Sequence, residues 1–188
     1  MLTTTLSKIL SFDPCCPELI QEFIDSGIDL DQELSFLTIL DNATPQNTLW
    51  CLRAASQDST KTSLQIAIRC AESVLPIWSE QYPDDNRPAL AIAAAKAVLD
   101  DPSDENKQAA ARGADAAWAA DAKAAAWAAA RAAKAAAWAA DAAADADAAW
   151  AAADAAATRA ADAADAARAA ADFDLSQIVR DVLLEEGN

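Results

Sequence analysis

Residues 108–173 contain 43 alanines in 66 positions. Ala has the highest intrinsic helix propensity, and neither Pro nor Gly occurs from Ala114 to Glu186, so the segment predicts helix. The same composition limits how that helix can pack. A methyl group buries little area, so no strong apolar stripe is available. A continuous helix would reach about 99 Å at 1.5 Å per residue. Trp127 and Trp138 are eleven residues apart, and Arg112, Lys123, Lys134 and Asp145 also fall on eleven-residue steps. That period stays close to the natural helical repeat and holds its register with little supercoil. Trp118 lies nearly opposite Trp127 on a helical wheel, and Trp150 returns towards the Trp118 side. Either one helix is gripped from two sides or the tract folds back into hairpins. The second is preferred, with a turn near Asp141, Asp145 and Asp147, since Asp is a good cap residue.

The larger apolar residues cluster in residues 1–100. Leu2, Leu6, Ile9 and Leu10 predict a short helix over 2–12. Leu19, Ile20, Phe23 and Ile24 predict a second, from Pro17 to about Ser26, ended by Gly27. A third is expected over 33–41, and a fourth after Thr44-Pro45 with Thr44 as cap. Asp58 or Ser59 caps the next, which Pro76 kinks or ends. Residues 82–88 read as a loop, Pro88 opens a helix, and Ser103 caps the start of the Ala-rich tract. Leu175, Ile178, Val179, Val182 and Leu183 predict an amphipathic C-terminal helix that docks on the body. No run shows strand alternation. The expected fold class is all-α: short antiparallel helix pairs in residues 1–104, resembling a helical-repeat stack, an Ala-rich tract over 105–174, and a C-terminal helix or tail over 175–188.

The formal net charge is −16. Residues 1–107 carry 17 acids against 7 bases, the tract 9 against 6, and residues 174–188 carry 4 against 1. The acidity therefore lies mainly outside the tract. It disfavours direct contact with nucleic acid or an anionic membrane and suits a basic protein partner. Residues 1–12 do not resemble a signal peptide, and charges interrupt the tract too often for a membrane span, so a cytoplasmic protein is expected.

The chain has no His, which removes Ser-His and Cys-His nucleophile pairs. Its glycines, Gly27, Gly113 and Gly187, form no phosphate loop. Cys15, Cys16, Cys51 and Cys70 make no zinc pattern and read as reduced thiols. No cofactor, no metal and no catalytic residue is expected. One constellation stands out: Arg53, Arg69, Glu72, Asp84 and Arg87, beside Trp50, Cys51 and Cys70. It reads either as ion pairs tying helices to the 82–88 loop or as a polar pocket for an acidic group. Trp118, Trp127 and Trp138 read as packing anchors or as a stacking face.

The runs Leu49-Trp50-Cys51-Leu52-Arg53-Ala54, Arg69-Cys70-Ala71-Glu72 and Tyr82-Pro83-Asp84 with Arg87-Pro88 resemble a family of predicted immunity proteins of bacterial polymorphic-toxin systems, also found in phages and prophages. The opening Thr3-Thr4-Thr5-Leu6, the Pro14-Cys15-Cys16 segment and the Ala-Trp-rich tract share the resemblance, which spans about residues 2–170. It implies an all-helical protein that neutralises a toxin by binding it, and names no catalytic residue. Ala89, where relatives carry a basic or polar residue, departs from the pattern.

The expected function is thus a non-enzymatic binder: an immunity protein, or a phage counter-defence inhibitor, facing a basic toxin or defence protein. A protein that sequesters a nucleotide through Trp and Arg residues is an alternative. An acidic DNA mimic and a structural scaffold are others, and homo-oligomers could form through the Ala-rich helices.

Overall fold

The computed structural model describes residues 1–12, 14, 17–121 and 174–187. Among them the fold is all-α apart from one two-residue strand pair. The elements are β1 (Thr3–Thr4), α1 (Leu6–Leu10), α2 (Pro17–Asp25), β2 (Leu34–Ser35), α3 (Phe36–Asn42) and α4 (Pro45–Cys51). A 3-10 turn (Leu52–Ala54) follows, then α5 (Thr60–Gln81), α6 (Arg87–Asp100), α7 (Asp104–Asp121) and, after the tract, α8 (Leu175–Glu185).

The first helix is shorter than its apolar spacing suggests. Thr3 and Thr4 are extended and pair antiparallel with Ser35 and Leu34. β-Branched residues suit that conformation, and hydrogen bonds from residues distant in the chain hold them in it. Ser56 donates its N–H to the Thr3 carbonyl at 2.7 Å, and the Thr4 hydroxyl donates to the Ala54 carbonyl. Thr5 then caps α1, its hydroxyl accepting from Lys8 N at 3.2 Å. A single residue thus switches the chain from strand to helix.

Caps explain most of the other boundaries. Ser35 accepts from Thr38 N at 3.1 Å at the start of α3. Thr44 accepts from Asn47 N at 3.2 Å, with Pro45 in the first turn of α4. Gly27, at φ +91°, closes α2: its N–H bonds the Ile24 carbonyl at 2.9 Å and the Ile28 N–H bonds Phe23 at 3.2 Å. That pair is a Schellman motif, whose left-handed residue favours glycine. Ser59 precedes α5 without a side-chain capping bond, and Asp58 Oδ1 instead accepts from Thr60 N at 2.9 Å.

Pro76 does not end α5. The helix runs on to Gln81 because Trp78 anchors its last turn. Trp78 is buried, its indole N–H donates to the Asp85 carbonyl at 2.8 Å, and its ring centroid lies 4.7 Å from that of Tyr82. The short 82–86 connection then turns the chain back.

Helices α5, α6 and α7 form successive antiparallel hairpins. Lys96 on α6 meets Glu72 on α5, level with the α6 C-terminus, while Asn106 on α7 donates to the Ala97 carbonyl. At the other end of that second pair Gly113 faces Ala91. A Cβ at Gly113 would lie 3.1 Å from the Ala91 Cα, closer than ordinary contact. Ala91, Ala95 and Ala110 are fully buried in this interface. Small residues are what allow the two backbones to approach.

Helix α8 packs against α3, α4 and α5, burying Leu175, Val179, Val182 and Leu183. The expected docking of the C-terminal helix is therefore observed. It shares one core with Leu6, Ile9, Phe36, Ile39, Leu49, Leu52, Leu64, Ile66 and Val74. The described part of the Ala-rich tract, to Asp121, is helical as anticipated. The hairpin turn near Asp141, Asp145 and Asp147, Trp150, and the contacts of the tract between chains lie outside the described residues.

Gly113→Leu should separate α6 from α7 and lower the unfolding free energy by about 1–3 kcal/mol, measured by urea titration. Gly27→Ala, strained by its positive φ, should cost about 1–2 kcal/mol in the same assay.

Candidate functional site

The five charged residues singled out from the sequence do not form one buried network. Arg53 lies over its neighbour Trp50, with the guanidinium carbon 4.6 Å from the ring centroid and Nε donating to the Trp50 carbonyl at 3.0 Å. Arg69 reaches across to α8, its Nη2 standing 2.6 Å from both carboxylate oxygens of Glu185. Glu72 pairs with Lys96 at 2.5 Å. Arg87 is held by Asp85 rather than Asp84: Asp85 Oδ1 accepts from Arg87 Nε at 2.8 Å and from its backbone N at 3.2 Å. That hydrogen bond pushes the Arg87 guanidinium still further up in pKa. Asp84 is exposed in the loop.

Spacing along the helices explains the separation. Arg69 and Asp100 line one hollow, and Arg87 lies thirteen residues back along α6, about 20 Å away. Consecutive sequence motifs landed on different levels of the α5–α6 hairpin. Trp118 lies within α7, and Trp127 and Trp138 lie outside the described residues.

Among the described residues two concave regions stand out. The first lies between α5 and α6, a hollow of about 330 Å³ lined by Gln65, Arg69, Glu72, Lys96, Leu99 and Asp100. Gln65 Oε1 is buried there without a hydrogen-bond partner. Its two cations are already paired, so it presents little net charge to a ligand.

The second runs between α2 and the α3–α4 corner. Two adjoining hollows, of about 80 and 420 Å³, share Leu19, Glu22 and Asn42. Phe23 and Ser26 line one, and Asp41, Ala43, Thr44 and Asn47 line the other. A narrow apolar crevice continues it past Leu19 and Asn47 to Pro14, Ile20, Cys51 and Trp50. Of the expected site residues Trp50 borders this groove, with Cys51 beside it.

Its electrostatics are one-sided. Residues 1–49 hold eight acids and a single base, Lys8. Glu18, Glu22, Asp25, Asp29, Asp31, Glu33 and Asp41 are all exposed. Asp41 takes Arg180 of α8 at 2.5 Å, Asp25 accepts from Gln21 at 2.8 Å, and Glu33 from Thr3 at 2.7 Å. Glu18, Glu22, Asp29 and Asp31 have no ion-pair partner among the described residues. Sequence reasoning recorded the acidity but not its concentration, which a tally of residues 1–49 alone would have revealed.

Among the described residues no group of three or more His, Cys, Asp or Glu is placed to hold a metal ion. No helix of these residues is long and apolar enough to cross a membrane. Cys51 and Cys70 are buried. Burial pushes the Cys70 thiol from its ordinary value of 9.0 up to about 12.

A model of the family described as Immunity protein Imm5 matches residues 50–179. No curated protein and no solved structure matches the chain. The matched segment begins at Trp50 and takes in α5, α6, α7, the tract and the first half of α8.

The unfolded Cys70 thiol ionises near 9, the folded one about three units higher, so folding binds a proton in that window. Stability should then fall above pH 9 by about 1.4 kcal/mol per pH unit, and Cys70→Ala should remove that slope in denaturant titrations. Native chain treated with iodoacetamide at pH 8 should leave Cys70 unlabelled, and urea should expose it.

Proposed function

Because the chain belongs to the Imm5 immunity-protein family, we propose that it neutralises a protein toxin by binding it, without catalysis of its own. The observation that carries this reading is the family match over residues 50–179, more than two thirds of the sequence. Several features of the chain support it. It has no His, which removes the commonest general acid–base side chain. Its thiols at Cys51 and Cys70 are buried, and burial makes Cys70 a poor nucleophile. The net charge of −16 suits a basic partner, because opposite fields speed encounter and orient the two proteins. We place the activity in the cytoplasm, where an inhibitor meets a toxin before it acts.

Capture of a nucleotide would need the arginines to converge on phosphate. Arg53, Arg69 and Arg87 each serve a different local contact, on Trp50, Glu185 and Asp85. The geometry favours the protein-binding reading over that alternative.

The test is co-expression with any toxin domain found encoded in the same locus. Cells making both proteins should regain colony counts close to those of toxin-free cells, and the two should co-purify. Arg87→Ala, away from the acidic groove, should protect as well as the parent. Continued killing together with no complex would overturn the reading.

A further inference from the structure

We propose that the groove between α2 and the α3–α4 corner is the docking surface for a lysine- or arginine-rich segment of the toxin. This rests on the toxin-neutralising reading and assigns its contact to residues that precede the family-matched segment.

Among the described residues, shape and charge coincide here. The hollow of about 420 Å³ is bordered by Glu22, Asp41, Asn42, Thr44 and Asn47, which offer oxygen acceptors to a cationic donor. Leu19 supplies an apolar strip along it, suited to the methylene stem of a long basic side chain. Asp41 is already paired with Arg180, so Glu22 is the carboxylate of this hollow that is open to an incoming cation. Glu22 borders the hollow, and Glu18, one helical turn earlier on the same face of α2, stands beside Glu22. Asp29 and Asp31 follow in the chain after α2, and all four are exposed, with no ion-pair partner among the described residues.

The charge selects the occupant. A second copy of the same face, or a nucleic acid, would place like charges against each other. The α5–α6 hollow lacks this selection, since Arg69 and Lys96 are already paired with Glu185 and Glu72.

Two quadruple variants of the full chain test it, each removing four negative charges. One carries Glu18→Gln, Glu22→Gln, Asp29→Asn and Asp31→Asn. The control carries Glu80→Gln, Asp84→Asn, Asp100→Asn and Glu105→Gln, all exposed acids on α5, α6, α7 and the 82–86 loop. The probe is a nona-arginine peptide, titrated into isotope-labelled protein and followed by amide chemical shifts. Shifts should cluster at Leu19, Glu22, Ser26, Asn42 and Asn47. The α2 quartet should weaken the peptide about tenfold and the control less than about twofold. Equal weakening by both, or shifts centred on another face, would overturn the proposal. So would a homodimer, seen by sedimentation, that the α2 quartet dissolves. In the co-expression assay the α2 quartet should lose protection that the control keeps. Protection retained by the α2 quartet sinks the groove as the toxin contact while leaving the immunity reading intact. Absence of protection by the parent chain sinks the immunity reading, whatever the peptide does.

Discussion

The 22-residue helix α5 is the wall against which the other large elements close. One side takes α6, and through it α7; another takes α8, which arrives from the far end of the chain. Leu64, Ile66, Ala67, Cys70, Ala71 and Val74 are all buried along it. Burial of apolar area on more than one face fixes the helix and explains how Pro76 is tolerated in its last third. The missing hydrogen bond is a local loss, while Trp78 beyond it is sunk in the core and tied to the Asp85 carbonyl. A helix held at both ends by packing has no freedom to stop at its proline.

Two kinds of packing meet at that wall. Towards α8 the contacts are made by Leu and Val, and two exposed ion pairs, Arg69–Glu185 and Arg180–Asp41, bracket the docked helix. Exposed pairs of this kind add little free energy, so burial of Val179 and Val182 holds α8, and the pairs set its orientation. Towards α7 the contacts are made by alanines and by Gly113, and closeness of approach replaces side-chain volume. Such an interface tolerates almost no added atoms. This is the regime in which the Ala-rich tract begins.

The acidic groove depends on the same arrangement. α2 is amphipathic, with Ile20 and Phe23 inward and Glu18, Glu22 and Asp25 outward. The Gly27 motif ends it sharply, and the chain from Asp29 to Glu33 then runs exposed to β2. Glu22 and Asp41 thereby border the hollow that the α3–α4 corner leaves open, with five more exposed carboxylates in the same stretch of chain. Asp41 is held by Arg180, whereas Glu18, Glu22, Asp29 and Asp31 have no ion-pair partner among the described residues and stand open to charge supplied by another molecule.

The sequence by itself determined the helical class, most helix starts and the amphipathic tail, because propensity, caps and periodicity act within a few residues. Thr44-Pro45, Gly27 and the 175–183 stripe were legible for that reason. The strand pair at Thr3–Thr4 was not, since it depends on Leu34, Ala54 and Ser56 brought from elsewhere. Nor was the length of α5, which tertiary burial of Trp78 carries past Pro76. Motif proximity in the chain suggested that Arg53, Arg69 and Arg87 would converge, yet helical rise spread them over separate levels and gave each its own partner. The groove emerged only once α2 was set against α3 and α4. Charge can be counted along a chain, but which charges share a surface and which find counter-ions is decided by packing between distant segments.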